Sequence, residues 1–371
     1  MGAIEKLVMP KWGLSMTEGK VVKWLIEEGA AVDAGAELVD IETEKISSAA
    51  EAPAPGLLRR RVAKEGEVVP VAGLLGVIAD AGVPDSDVDA FVQDFLANFV
   101  PEETAEGAEG LATETLELGG RKLRYLKKGE GGEPAVLIHG FGGDLNNWLF
   151  NHDALAEERA VYALDLPGHG ESSKDVGEGD LGAFAGVLAD FMAALGIAKA
   201  HLIGHSMGGA VALELALADP SRARSITLIA SAGLGPELDA AYIEGFVGAV
   251  RRKEIKPHLE KLFADPSLVN RQLVDDILKF KRLDGVDAAL RTIASALLAD
   301  GVQTTMFRDR LGDLGVPLLV IWGEEDRIIP ASHARDLPGA PRVEIFAAGH
   351  MVQMEAASEV NGLIKSFLGS L

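Results

Sequence analysis

With 371 residues the chain is longer than one hydrophobic core ordinarily serves, so two domains are expected. Its 57 acidic residues outnumber 35 basic ones, a net charge of −22 that argues against nucleic acid and anionic membranes as partners. The absence of cysteine excludes disulfides and thiolate metal ligands; no metal is expected, and any thiol chemistry must come from a cofactor or a substrate.

No apolar run approaches the roughly 20 residues of a membrane span, and Met1–Lys6 lacks a basic segment leading into an apolar one, so a cytoplasmic protein is expected. Displaced by 37 positions, the chain matches itself: Gly19, Gly29, Val32, Leu38 and Ile41 recur as Gly56, Gly66, Val69, Leu75 and Ile78. Residues 1–80 therefore read as a duplicated unit of short, Gly-punctuated strands, a small all-β sandwich of two stacked sheets. Where one half passes into the other stands Glu42-Thr43-Glu44-Lys45-Ile46, which puts Lys45 at an exposed hairpin tip.

Residues 81–115 hold nine acids and no Lys or Arg, the composition of a linker. Within it Val88, Phe91, Val92, Phe95, Leu96 and Phe99 follow the spacing of one helix face, with Ser86 as the expected N-cap. That face either folds onto one of the domains or docks a partner subunit. From 116 to 371 apolar runs alternate with helical segments, the pattern of a mostly parallel sheet covered on both sides. Strands are predicted at 135–138, 160–164, 200–203, 225–229, 318–322 and 343–346. Between about 236 and 305 helical periodicity takes over, which reads as a helical cap.

The run Gly204-His205-Ser206-Met207-Gly208 sits between a predicted strand and a predicted helix. A strand-to-helix turn of this kind lifts the serine hydroxyl above the sheet and aims the Met207 N–H at a developing oxyanion. A hydroxyl needs a base, and the base an orienting acid. Asp326 follows the strand ending at Trp322, and His350 follows the strand ending at Phe346, so Ser206, Asp326 and His350 stand in the required order. Glu324 and Glu325 read as solvated loop charges. His139-Gly140-Phe141-Gly142-Gly143 follows the first strong strand and offers the Phe141 N–H as second oxyanion donor. His139 is expected to be a structural hydrogen-bonder, and His169, in a turn after the next strand, to be scaffold without a role. Arg251, Arg252 and Lys253 form either a solvated helix face or a cluster for phosphates.

On these motifs residues 116–371 resemble the α/β-hydrolase superfamily. Residues 1–80, through Asp40-Ile41-Glu42-Thr43-Glu44-Lys45-Ile46, resemble the lipoyl domains of 2-oxo acid dehydrogenase complexes. Together they are similar to the dihydrolipoamide acetyltransferase components of bacterial acetoin dehydrogenase complexes. From the residues alone an exposed lysine is an ordinary solvated charge; the resemblance implies lipoate bound covalently at Lys45. It also implies acetyl transfer to coenzyme A as co-substrate, partnership with thiamine-dependent dehydrogenase and dihydrolipoamide dehydrogenase subunits, and a homo-oligomer. The chain departs from ordinary dihydrolipoamide acyltransferases: none of its eight histidines begins an H-x-x-x-D-G motif, and the linker shows no arginine-bearing subunit-binding domain. Acyl transfer then falls to the hydrolase domain. Two other readings stay open: a thioesterase or carboxylesterase with a lipoyl appendage, and a lipoyl carrier or scaffold with an idle triad.

Overall fold

The computed structural model describes residues 4–10, 18–42, 47–99, 113–339 and 341–371. The chain divides into two compact units, Met1–Leu111 and Ala112–Leu371. The first holds strands β1 (Ile4–Val8), β2 (Glu18–Trp24), β3 (Ala31–Val32), β4 (Glu37–Glu42), β5 (Ser47–Glu51), β6 (Gly56–Arg61), β7 (Val68–Pro70) and β8 (Leu74–Ala79). They form two four-stranded sheets, ordered β1-β8-β6-β3 and β5-β4-β2-β7. Advancing every strand by four places turns one sheet order into the other, which is the 37-residue repeat expressed as topology. The repeated positions also do the same physical work. Leu38, Ile41, Leu75 and Ile78 are fully buried in one core, while Gly29 and Gly66 both adopt the left-handed φ, +88° and +86°, that glycine alone enters without cost. Antiparallel β4 and β5 pair Glu42 with Ser47. Lys45, between them, lies outside the described residues.

Helix α1 spans Asp85–Asn98. Its N-cap is Pro84, not the expected Ser86, whose hydroxyl instead contacts the Asp87 carboxylate at 3.2 Å. The cause lies in β6, where the Arg59 guanidinium donates to the Asp80 and Val83 carbonyls and to Asp85, at 2.8, 2.9 and 2.8 Å, and so draws the helix start forward. That hydrogen bond from Arg59 also lowers the Asp85 carboxyl below its ordinary pKa. Val88, with Phe91, Val92 and Phe95 beside it, packs on Leu74, Val77 and Ala79. The aromatic face therefore folds onto the first unit. Within the stretch expected to be an acidic linker, 81–115, residues 85–98 form a helix packed on the first unit, and the first strand of the second begins at Thr113.

The second unit carries β9 (Thr113–Leu118), β10 (Arg121–Lys128), β11 (Ala135–Ile138), β12 (Val161–Leu164), β13 (Ala200–His205), β14 (Ala223–Ile229), a short hairpin β15 (Leu298–Ala299) and β16 (Val302–Gln303), β17 (Leu318–Gly323) and β18 (Arg342–Phe346). Eight of them form one sheet in the order β18-β17-β14-β13-β11-β12-β10-β9. Strands β11 to β14, β17 and β18 pair in parallel, while β10 is antiparallel to both neighbours. Parallel strands sheltered on both faces read as continuous apolar runs, and Ala135–Ile138 is accordingly fully buried. Helices α2 (His152–Ala156), α3 (Leu181–Ala194) and α4 (Met207–Ala218) lie among these strands in the chain. Helices α5 (Ala240–Gly248), α6 (Arg252–Glu260), α7 (Arg271–Lys281) and α8 (Val286–Leu297), with the β15–β16 hairpin, make up the cap; α9 (Val352–Glu355) and α10 (Ala357–Gly369) close the chain. Among the described residues no helix is long and apolar enough to cross a membrane.

Candidate active site

Strand β13 delivers Ser206 to the carboxyl edge of the sheet, where its backbone turns to φ 54°, ψ −120° before α4 begins. A non-glycine residue there carries strain of roughly 1–3 kcal/mol, tolerated only when the surroundings enforce it. Here the Ser206 N–H donates to the Ile229 carbonyl at 2.9 Å, and the Ser206 carbonyl accepts from the Ala232 N–H at 3.0 Å. The turn closes because its neighbours lack side chains. A Cβ on Gly204 would stand 2.3 Å from the Gly208 carbonyl oxygen, and one on Gly208 would stand 2.2 Å from that of Ile138.

His350 and Asp326 meet from the ends of adjacent strands, β18 and β17. The imidazole Nδ1–H donates to Asp326 Oδ2 at 2.8 Å, with both side chains almost wholly shielded from solvent. The second carboxylate oxygen accepts the Ile328 and Ile329 N–H groups at 2.8 and 2.9 Å, which fixes the plane of the acid. Holding Nδ1 as the donor leaves Nε2 as the basic nitrogen of a neutral imidazole. Glu324 and Glu325 are exposed loop residues and take no part in this pair.

The loop after β11 lies directly against the serine, since a Cβ on Gly140 would come within 2.9 Å of Ser206 Cβ. Two buried histidines hold it. His139 Nε2 accepts the Leu166 N–H at 3.0 Å and its Nδ1 donates to the Gly140 carbonyl at 2.8 Å. His169 Nε2 accepts the Gly142 N–H at 3.1 Å and its Nδ1 donates to the Pro167 carbonyl at 3.0 Å. Burial lowers the pKa of both rings, His169 the further, so each stays neutral and its Nε2 stays an acceptor. With the Gly142 amide engaged, the Phe141 and Met207 amides have no protein acceptor among the described residues.

Two family models match the chain: alpha/beta hydrolase fold over residues 134–357 and biotin-requiring enzyme over residues 5–78. Over 369 residues the chain is 54% identical to the dihydrolipoyllysine-residue acetyltransferase component of the acetoin cleaving system of Pseudomonas putida, covering 99% of each. The chain belongs to this acetyltransferase-component family. The Cupriavidus necator protein of the same description is 48% identical, the match covering 98% of this chain and 97% of that one. A meta-cleavage product hydrolase from Pseudomonas fluorescens superposes with a TM-score of 0.64 at 23% identity, covering 69% of this chain and 97% of its own, a likeness of fold.

In this acetyltransferase-component chain three site neighbours escape a reading of the sequence. His169, expected to have no role, holds the loop after β11 by accepting the Gly142 N–H. His205 packs its ring 4.7 Å from that of His350 and donates from Nε2 to the His350 carbonyl at 3.0 Å. Phe246, from cap helix α5, lies 5.9 Å from the Phe141 ring, roofing the loop. Arg251 pairs with Glu254, and Arg252 with Asp275, so two of the three members of the basic cluster are already neutralised on the helix surface. No group of His, Asp or Glu suited to a metal occurs among the described residues.

Proposed function

We propose that this chain transfers an acetyl group from a lipoyl arm on Lys45 to coenzyme A within an acetoin cleaving complex, using Ser206 as nucleophile, His350 as base and Asp326 as its orienting acid. The observation that carries the reading is the buried Asp326–His350 hydrogen bond, reached by the ring and Nε2 of His205, the residue before the strained Ser206. The hairpin strands that flank residues 43–46 fit a lysine offered at the join of the two repeats. Lipoate there would supply the sulfur that the cysteine-free chain lacks, presenting the acyl group as a thioester.

Ser206 Oγ attacks the thioester carbonyl while His350 Nε2 takes its proton. The charge that develops on the carbonyl oxygen falls to the Phe141 and Met207 N–H groups, the preorganised arrangement worth about 3 kcal/mol per donor in comparable sites. The imidazolium then protonates the departing thiolate, leaving an acetyl ester on Ser206. In the second half His350 deprotonates the coenzyme A thiol, whose sulfur attacks the ester, and the imidazolium returns the proton to Ser206. Thiamine-dependent dehydrogenase and dihydrolipoamide dehydrogenase subunits would load and reoxidise the arm, and self-association of the chain would array several arms in one particle.

The test is incubation of the protein and its Ser206→Ala variant with acetyl-dihydrolipoamide, with and without coenzyme A. Acetyl-coenzyme A formed only by the unsubstituted protein supports transfer at Ser206. Free acetate in both tubes selects hydrolysis, and normal acetyl-coenzyme A from the variant selects a carrier with an idle triad.

A further inference from the structure

We propose that Glu355 is a positioning residue that sets the His350 imidazole by clamping its loop to the base of the cap. The inference rests on the reading of His350 as the base. Glu355 ends α9, shortly beyond the histidine, and its two carboxylate oxygens each take a backbone donor from a different loop. Oε1 accepts the Gly349 N–H at 2.8 Å and Oε2 the Ala264 N–H at 2.8 Å, with the Asp265 amide as a further donor to the carboxylate. On the other flank of the histidine the Met351 N–H donates to the Leu262 carbonyl at 3.1 Å. Both neighbours of His350 are thus tied to Leu262–Ala264, the segment that leaves cap helix α6.

The contact is also close-packed. A Cβ on Gly349 would lie 2.6 Å from the Ala264 nitrogen and 2.8 Å from the Leu262 carbonyl oxygen, so the two loops are in contact only because position 349 is glycine. Among the described residues no Lys or Arg pairs with Glu355. Burial raises its carboxyl pKa, against the pull of its backbone donors, and nearby Glu325 raises it further. A half-buried carboxylate without a cation costs stability, and among the described residues its partners are the Gly349, Ala264 and Asp265 amides, which join the base's loop to the cap. The His205 Nε2–H on the His350 carbonyl and Asp326 on Nδ1 hold the residue from two further sides. The Glu355 clamp, with the Met351–Leu262 hydrogen bond, joins the base's loop to the segment that leaves the cap, and Glu355 is the one side chain in that tie. Misplacing a reacting group by about 1 Å costs roughly 100-fold in rate.

The experiment uses the full chain as unsubstituted protein and as Glu355→Gln, Glu355→Asp and His350→Ala. It reads kcat and KM for acetyl-coenzyme A formation from acetyl-dihydrolipoamide, and the His350 signal in protein labelled at histidine 13Cε1, assigned by its loss in His350→Ala. In Glu355→Gln an amide NH2 faces at least one of the Gly349, Ala264 and Asp265 N–H donors. A kcat lower by about 30- to 100-fold, KM within about threefold and a displaced His350 signal are expected. Glu355→Asp, which keeps the charge and can hold one donor, recovers part of the loss. A raised KM with kcat and the His350 signal unmoved reduces Glu355 to a cap anchor and overturns the proposal. If Glu355→Gln fails to fold, Glu355→Asp decides: lowered kcat with a displaced signal supports the clamp, and unchanged values overturn it. Undiminished activity in His350→Ala would instead overturn the assignment of the base.

Discussion

Replacing Asp326 by asparagine separates the electrostatic part of the site from its scaffolding. One oxygen of Asp326 accepts two backbone N–H groups, from Ile328 and Ile329, and the other accepts the His350 Nδ1–H. Asparagine can keep the first pair through its carbonyl oxygen, so the loop after β17 stays in place and the fold is retained. Its NH2 must then point at His350 Nδ1, where donor meets donor. The imidazole escapes by moving its proton to Nε2, and in that tautomer it cannot take the proton of Ser206. The same change in a serine protease lowers kcat about 10⁴-fold, equivalent to about 5 kcal/mol of transition-state stabilisation at about 1.4 kcal/mol per decade. The assay is single-turnover transfer from acetyl-dihydrolipoamide near neutral pH, with thermal melting alongside. A rate drop of 10³- to 10⁴-fold with a melting temperature within about 3 °C of the parent is expected. A loss below tenfold in a folded variant would refute the role given to Asp326.

Gly208→Ala places a methyl group 2.2 Å from the Ile138 carbonyl oxygen, a clash with rigid backbone. It should cost about 3 kcal/mol or more, read as a melting temperature lower by about 6–12 °C. Acid should destabilise the second unit early. Burial holds His152 and His201 neutral with pKa values of about 4, whereas in the unfolded chain they titrate near 6.5. Below about pH 6.5 the unfolded state binds protons that the folded state refuses, so stability is full above that pH and is lost as pH falls toward 4. Melting temperatures that stay flat between pH 6.5 and 4.5 would contradict this. The combined change Arg251→Ala, Arg252→Ala and Lys253→Ala should leave KM for coenzyme A within about twofold, because Arg251 and Arg252 already serve Glu254 and Asp275; a tenfold rise would restore the cluster as a phosphate contact.

The proposed catalytic residues could be placed from the sequence because each closely follows a strand: Ser206 after β13, Asp326 after β17, His350 after β18. Five of the six parallel strands were legible as apolar runs sheltered within the sheet, while β18, the partly exposed edge strand, was legible from its Val343, Ile345 and Phe346. Strands β9 and β10 were not, since Glu114, Glu117, Arg121, Lys122, Arg124, Lys127 and Lys128 interrupt them and only one face is covered. Ser86 was mistaken for a cap because Arg59, distant in sequence, decides where α1 begins. His169 and Glu355 act on backbone amides that lie 27 and 91 residues away, Gly142 and Ala264, and no local pattern records such a contact. The two-residue strands of the β15–β16 hairpin are too short to leave a period.

The docking of α1 on β6 and β8 changes what counts as a separable piece of this molecule. A fragment excised at residue 80, where the repeat ends, would strip cover from Leu74, Val77 and Ala79 and leave Arg59 and Arg60 without Asp85 and Asp89. It would bare a greasy, cationic flank and invite clumping. Cutting after Phe99 keeps that flank sealed, and is the boundary at which the arm-bearing piece should be isolated for loading by a ligase.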